Sequence, residues 1–270
     1  MNKNISDVKF SIITISYNSE KTIERTILSV LNQTYKNYEY IIVDGLSKDN
    51  TIDIVKSYEP RFEGRMRWIS EPDNGIYNAM NKGIKMAKGD IIGIVNSDDW
   101  LEADTLDVLS NVIRENPDNI NKILTGDMMF HYADGTKLLI STSYQKYESL
   151  SKQLRMGLNH PATFVPKSIY NTIGLFDERF KLYADADFII RCYESKVDVL
   201  FINKVLSNML DGGASNKLSK LMIEDSLLNI KIHSKTQIER IWRIIRYYCI
   251  LTTKYMVPDT LLKKYRALHS

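Results

Sequence analysis

The chain has 270 residues, 44% of them hydrophobic and 26% charged, which suits a soluble globular protein of one large domain or a domain with an appendage. Cys192 and Cys249 stand apart with no CxxC and no histidine cluster, which excludes a disulfide frame and a zinc site and fits reduced thiols in the cytoplasm. The polar N-terminus and the lack of an apolar run of about 18 residues argue against secretion and against a membrane span.

The first strand is Phe10 to Ser16, a β-branched apolar run; Tyr17-Asn18-Ser19 turns, and a helix follows over Glu20 to Leu31 with Ile23, Ile27, Val30 and Leu31 on one face. Tyr38 to Val43 repeats the pattern, closing with a loop from Asp44 to Asn50 and a helix from Thr51 to Tyr58. Met66 to Ser70 is a third strand. Asp73, Asn74 and Gly75 then read as a turn and helix cap, and Ile76, Ala79, Met80, Gly83, Ile84 and Ala87 recur at helical spacing until Lys88-Gly89 stops the helix. Asp90 to Val95 is a short apolar strand of the kind buried on both faces, and it ends in Asn96-Ser97-Asp98-Asp99. This βαβ progression predicts an α/β, Rossmann-like, mostly parallel sheet with right-handed crossovers.

Ligands of such sheets sit beyond the carboxyl ends of the strands, so Asp98 and Asp99 face a cleft. Two adjacent carboxylates repel unless a cation lies between them, and a hard divalent ion shared with phosphate oxygens answers that need. The competing explanation is an acidic cap on a helix beginning at Trp100. No GxGxxG follows the first strand and no GxxxxGK[ST] occurs, which excludes dinucleotide and P-loop chemistry. The strand ends instead carry Ser16, Tyr17, Asn18 and Asp44, an aromatic ring and an acid suited to a nucleoside.

After a helix from Glu102 to Glu115 the rhythm changes. Lys122 to Tyr132 and Thr136 to Ile140 flank an Asp134-Gly135 hairpin signal, so the sheet becomes mixed. Leu158 to Val165 reads as a strand containing His160, a histidine open to a structural or an acceptor-side role. Lys167 to Ile173 is a short helix. Asp185 and Asp187 open another helix with Phe188, Ile189 and Cys192 on its apolar face, where capping competes with chemistry. Val199 to Ile202 and Val205 to Leu210 read as two closing strands, and Asp211 to Asn216 as a glycine-rich loop able to fold over a diphosphate. Leu218 to Met256 is mostly helical. Within it Ile238, Ile241, Trp242, Ile245, Tyr248, Cys249 and Met256 share one side and Arg240, Arg243, Arg246 and Lys254 the other. Residues 231–270 carry a net charge of +7 against −4 for the rest. That helix either packs on the domain or a second copy of the chain, or lies on an anionic membrane surface.

The blocks Ser11 to Asn18, Ser29 to Tyr35, Ile42 to Thr51, Ser70 to Gly83 and Asn96 to Trp100 together resemble the family 2 glycosyltransferases of GT-A fold, nearest to bacterial polysaccharide and O-antigen transferases of the colanic-acid type. The resemblance extends through Leu158 to Arg191 and fades past about 216, implying a GT-A domain over 1–216 and a basic helical extension over 217–270. It implies an inverting transfer from a nucleotide-diphosphate sugar, most often UDP-linked, assisted by Mg²⁺ or Mn²⁺. By position it implies that Tyr17 and Asp44 contact the base beside Ser16, that Asp73, Asn81 and Lys82 serve the nucleotide or diphosphate, that Asp98 meets the ribose or the metal, and that Asp99 holds the metal. Asp185 takes the place of the general base, with Asp187 its rival, and His160 is a second-rank acceptor-side residue. The family often has Asp at the place of Asn96 and Arg at the place of Met80, which leaves phosphate neutralisation to Lys82. The implied acceptor is a glycan or a polyprenyl-diphosphate-linked glycan at the inner face of the cell membrane; no nucleic-acid partner is expected. A nucleotidyltransferase and a non-catalytic nucleotide-sugar-binding scaffold are the alternatives.

Overall fold

The computed structural model describes residues 8–212 and 219–256. In chain order its elements are β1 (Phe10–Ser16), α1 (Ile23–Leu31), β2 (Tyr38–Asp44), α2 (Thr51–Tyr58), β3 (Met66–Ser70), α3 (Ile76–Met86), β4 (Ile91–Ile94), β5 (Trp100–Leu101), α4 (Thr105–Glu115) and β6 (Ile123–His131). Then come β7 (Lys137–Ile140), α5 (Tyr144–Lys152), β8 (Thr163–Pro166), α6 (Lys167–Ile173), α7 (Ala184–Glu194), β9 (Val199–Leu210), α8 (Lys220–His233) and α9 (Gln237–Met256). All strands join one sheet in the order β3-β2-β1-β4-β8-β6-β9-β5, with β7 beside β6.

The first four strands are parallel, and every residue of β1, β2 and β4 is buried. Helices therefore cover both faces of this half, which is why these strands read as unbroken apolar runs. One cluster joins Ile23, Ile27 and Val30 of α1 to Phe10, Ile12, Tyr40 and Ile42; the other joins Met80 and Ile84 of α3 to Ile13, Ile41 and Val43. Gly83 permits the second contact, since a Cβ there would lie 2.5 Å from Cγ2 of Ile13. From β8 onward the sheet is mixed: β8 runs antiparallel to β4 and β6, whereas β9 runs parallel to β6.

Four local expectations change. Trp100 does not begin a helix; Trp100 and Leu101 pair with Asn208 and Ser207 of β9, and α4 starts at Thr105. Asp98 and Asp99 thus lie in a loop between strands rather than at a helix cap. His160 to Ala162 form a single 3-10 turn ahead of β8, because Pro161 cannot donate to a ladder. The two closing strands are one, β9, which continues past an irregularity in its register with β6 at Gly126 and Asp127. Finally, α5 was not expected at all. The glycine-rich loop lies outside the described residues from 213 onward, as do the side chains of Lys254 and Met256.

Candidate active site

The carboxyl ends of β1, β2 and β3 set Ser16, Asp44 and Ser70 side by side in one row. Asp44 is fully buried there; it accepts hydrogen bonds from Ser16 Oγ at 3.0 Å, Ser70 Oγ at 2.7 Å and both the amide and hydroxyl of Ser47. An ionised carboxylate has about four acceptor directions, and these are taken. Asp44 thereby shapes the loop after β2 at the place where the resemblance sets the base.

The loops after β1 and β2 are laced together. Asn18 N donates to Ser47 Oγ and Lys48 N to Asn18 Oδ1, both at 2.8 Å, and Ser19 N donates to Thr51 Oγ1 at 2.7 Å. Asn18 and Leu46 hold left-handed backbone, φ 49° and 65°, a strain that persists only where neighbours over-determine it. The result is a fixed ledge on which Tyr17 is 59% exposed, a ring free to pack on a planar group. Asp73 closes its side: its Oδ2 is 2.5 Å from where a Gly45 Cβ would stand, so a larger residue there would push the Asp73 carboxylate aside.

The Asn96–Asp99 loop is held from α1. Thr26 Oγ1 donates to Asp99 O at 2.6 Å, Arg25 Nη2 to Asp98 O at 2.8 Å, and the Ser19 and Ser97 hydroxyls meet at 2.8 Å. Further on, Ser29 Oγ accepts from Leu101 N, and Gln33 bonds Glu102 O and Leu106 N, which explains the Ser29 to Tyr35 block as a brace for the acidic loop. Arg25 also lies 3.7 Å over the ring of Trp100.

Asp99 is buried, and burial together with the Asp98 charge pushes its pKa up to about 8. Its Oδ2 accepts a 3.3 Å bond from Asn96 Nδ2, whereas Asp99 Oδ1 and Asn96 Oδ1 are buried with no protein partner. Two orphaned hard oxygens beside a strained pair of acids suit a hard cation. Asp98 and Asp99 are the residues that would hold Mg²⁺ or Mn²⁺; no group of three metal-ligating side chains occurs among the described residues.

Across a small cavity of about 20 Å³, Asp185 and His160 share a lining with Ile94, the last residue of β4. Asp185 is half-buried in the first turn of α7, and its Oδ1 accepts from the Tyr77 hydroxyl at 3.1 Å and from Ala186 N at 2.8 Å. Burial and the Asp185 charge raise the Tyr77 pKa well above its ordinary value, so Tyr77 remains a donor. His160 Nε2 is buried without a partner; burial lowers its pKa against the pull of Asp185.

Asp187 is placed differently. It is 2% exposed, with Oδ2 on Arg191 Nε and Oδ1 on His233 Nε2, each at 2.9 Å. Its oxygens belong to a buried ion network, and of the two acids only Asp185 faces the cavity. Asn81 is likewise spent inside, bonded to the Phe176 backbone through both ends of its amide and to Glu178. Lys82 Nζ pairs with Glu71 at 2.7 Å and donates to Pro72 O, fastening the 71–75 loop. Tyr77 and Arg25 are the site residues missed from the sequence; Tyr77 lay in plain view in the Ser70 to Gly83 block, but its partner is in another half of the chain.

The sequence profile of glycosyl transferase family 2 matches residues 11–166. A PGL/p-HBAD biosynthesis glycosyltransferase of Mycobacterium bovis is 26% identical over 259 residues, 94% of this chain and 96% of its own. An uncharacterized glycosyltransferase of Mycobacterium tuberculosis is 32% identical over 185 residues, 67% of each chain. Among solved structures, the 1–349 fragment of Staphylococcus aureus TarS in complex with UDP-GlcNAc superposes with a TM-score of 0.65 at 22% identity, covering 85% of this chain and 68% of the fragment. Against a longer TarS chain the TM-score is 0.64, and the match spans 40% of that chain.

Proposed function

The chain belongs to glycosyl transferase family 2, and from that premise we propose that it moves one sugar from a nucleoside-diphosphate sugar, UDP-linked as in the TarS complex, to a hydroxyl of a surface-glycan acceptor, with inversion. The acceptor in this reading is a glycan or a lipid-linked glycan, met at the inner face of the cell membrane; a relative named for PGL/p-HBAD biosynthesis is in keeping with glycan assembly. Among the described residues no helix is long and apolar enough to cross a membrane.

The observation that carries this reading is the position of Asp185, half-buried and held by Tyr77, beside the end of β4 that leads to Asp98 and Asp99. Asp185 accepts the proton of the acceptor hydroxyl while that oxygen attacks the anomeric carbon and the diphosphate leaves from the opposite face; one base and one displacement give inversion. A divalent ion at Asp98 and Asp99 would supply positive charge to the leaving diphosphate. Tyr17 stacks on the base, and Asp73 borders the same pocket. Lys82 reaches a phosphate by giving up Glu71.

The test is a panel of UDP- and GDP-sugars offered to the purified chain with Mn²⁺, reading nucleoside diphosphate release and binding. One donor class should be hydrolysed slowly without acceptor. Binding of none, or nucleotide transfer instead of sugar transfer, overturns the reading; binding without turnover identifies a scaffold.

A further inference from the structure

We propose that the outward face of α9 is a docking surface for an anionic lipid bilayer. The helix has two sides of opposite use. Ile244 and Tyr247 pack inward on Leu154, Ile190 of α7 and Ile230 of α8, and Arg243 turns inward too, donating to Lys152 O at 3.2 Å and pairing with Glu239 at 2.8 Å. The side that the periodicity marks as apolar, which a soluble helix normally buries, points away from the protein. On it Ile238 is 71% exposed and Trp242 67%, and Ile241, Ile245 and Tyr248 are also exposed. At 100° per residue these five occupy an arc of roughly 120°. A contiguous apolar strip of this kind on a monomer marks an interaction surface.

The net charge of the sequence that carries the strip selects the partner. Residues 231–270 hold nine Lys and Arg against Glu239 and Asp259, and Glu239 is already neutralised by Arg243. Lys231, Lys235 and Arg246 are exposed, and Arg246 stands one turn beyond Trp242 on α9 itself. A two-fold contact between copies would bring like charges face to face, whereas anionic headgroups complement them. Trp242 and Tyr248 are side chains that sit at the headgroup level, and the aliphatic residues between them reach the acyl boundary of a helix lying in the membrane plane. The strip is fixed to the catalytic part through Ile190, five positions beyond Asp185 on the same helix, so a docked α9 holds α7 at a set distance from the lipid.

Co-sedimentation of the full chain with vesicles tests this: phosphatidylcholine alone against phosphatidylcholine with about one third phosphatidylglycerol. Binding is expected only to the anionic vesicles, weakening at least tenfold between low and high salt. Trp242→Ser with Ile245→Ser, and separately Arg246→Glu with Lys235→Glu, should each lower it about tenfold. Nucleotide-sugar hydrolysis in solution should not change in these variants, which separates lost docking from lost folding. The proposal stands apart from the transferase reading, since vesicle binding needs no nucleotide. Equal binding to neutral vesicles, no binding, or dimers in light scattering that Trp242→Ser converts to monomers would each overturn it.

Discussion

Tyr77 on α3 donates its hydroxyl to Asp185 on α7 across 3.1 Å, and this one bond joins the nucleotide-side helix to the helix that carries the candidate base. It fixes the carboxylate through Oδ1 and leaves Oδ2 for an incoming hydroxyl. Tyr77→Phe should lower kcat about tenfold, the worth of one such bond, with KM for the nucleotide sugar unchanged. Steady-state kinetics with the donor varied read this directly. An equal loss in donor binding would make Tyr77 a pocket wall instead.

Asp185 and Asp187 predict opposite phenotypes. Asp185→Asn should cut transfer by a factor on the order of 10² to 10⁴ while melting like the parent. Asp187→Asn should cost about 3 kcal/mol of stability, because Arg191 and His233 lose their buried counter-charge. Thermal melts and single-turnover assays on the two variants decide it. If Asp187→Asn is stable and inactive, the base is misassigned.

The orphaned Asp99 and Asn96 oxygens predict a metal requirement. EDTA should lower transfer at least tenfold, and Mn²⁺ should restore it. In Asp99→Ala neither addition should matter. Full activity of the parent chain in EDTA would remove the metal from this site.

His233 gives a pH signature. Burial by itself lowers its pKa, but the bonds to Asp187 and Glu194 outweigh that and raise it above 6.5. Its protonated form is therefore the bound form, and the stability it adds is full below pH 6.5 and fades as pH climbs through the raised value. The melting gap between the parent and His233→Gln should be widest below pH 6.5 and narrow as pH rises. A gap that widens with pH would mean that His233 serves as a neutral acceptor.

The parallel half of the fold was legible because each strand is buried on both faces and each helix shows one apolar stripe, so local pattern and final position agree. Elsewhere the deciding contacts are distant. Helix α5 buries only Tyr147 and Ser151, too little to leave a period in its sequence, and β5 exists only because β9 arrives beside it. Asp185 and Asp187 look alike in the chain; a bond to Tyr77, 108 positions away, holds the first beside the cavity, and one to His233, 46 positions away, ties the second into a buried ion network. Asn81 is fixed in the same way by the Phe176 backbone, 95 positions on. The apolar side of α9 was readable, but its direction was not, because periodicity tells which residues share a side and not which side meets the core.

Asp44 brings these lines together, since its sequence position suggests a ligand contact and its surroundings make it a keystone of the loop. Asp44→Ala would strand the hydroxyls of Ser16, Ser47 and Ser70 and the Ser47 amide around a void, at a cost of about 2 kcal/mol or more. Asp44→Asn keeps the volume but turns an NH₂ toward donors, so it should destabilise by a similar amount. In both variants nucleotide affinity should fall only as the Ser47–Asn18 lacing loosens, and a stabilising change elsewhere that restores the melting temperature should restore much of that affinity. Isothermal titration with UDP alongside thermal melts makes the comparison. A stable Asp44→Asn with UDP binding abolished would show that the carboxylate meets the base after all, and that the loop opens to let it.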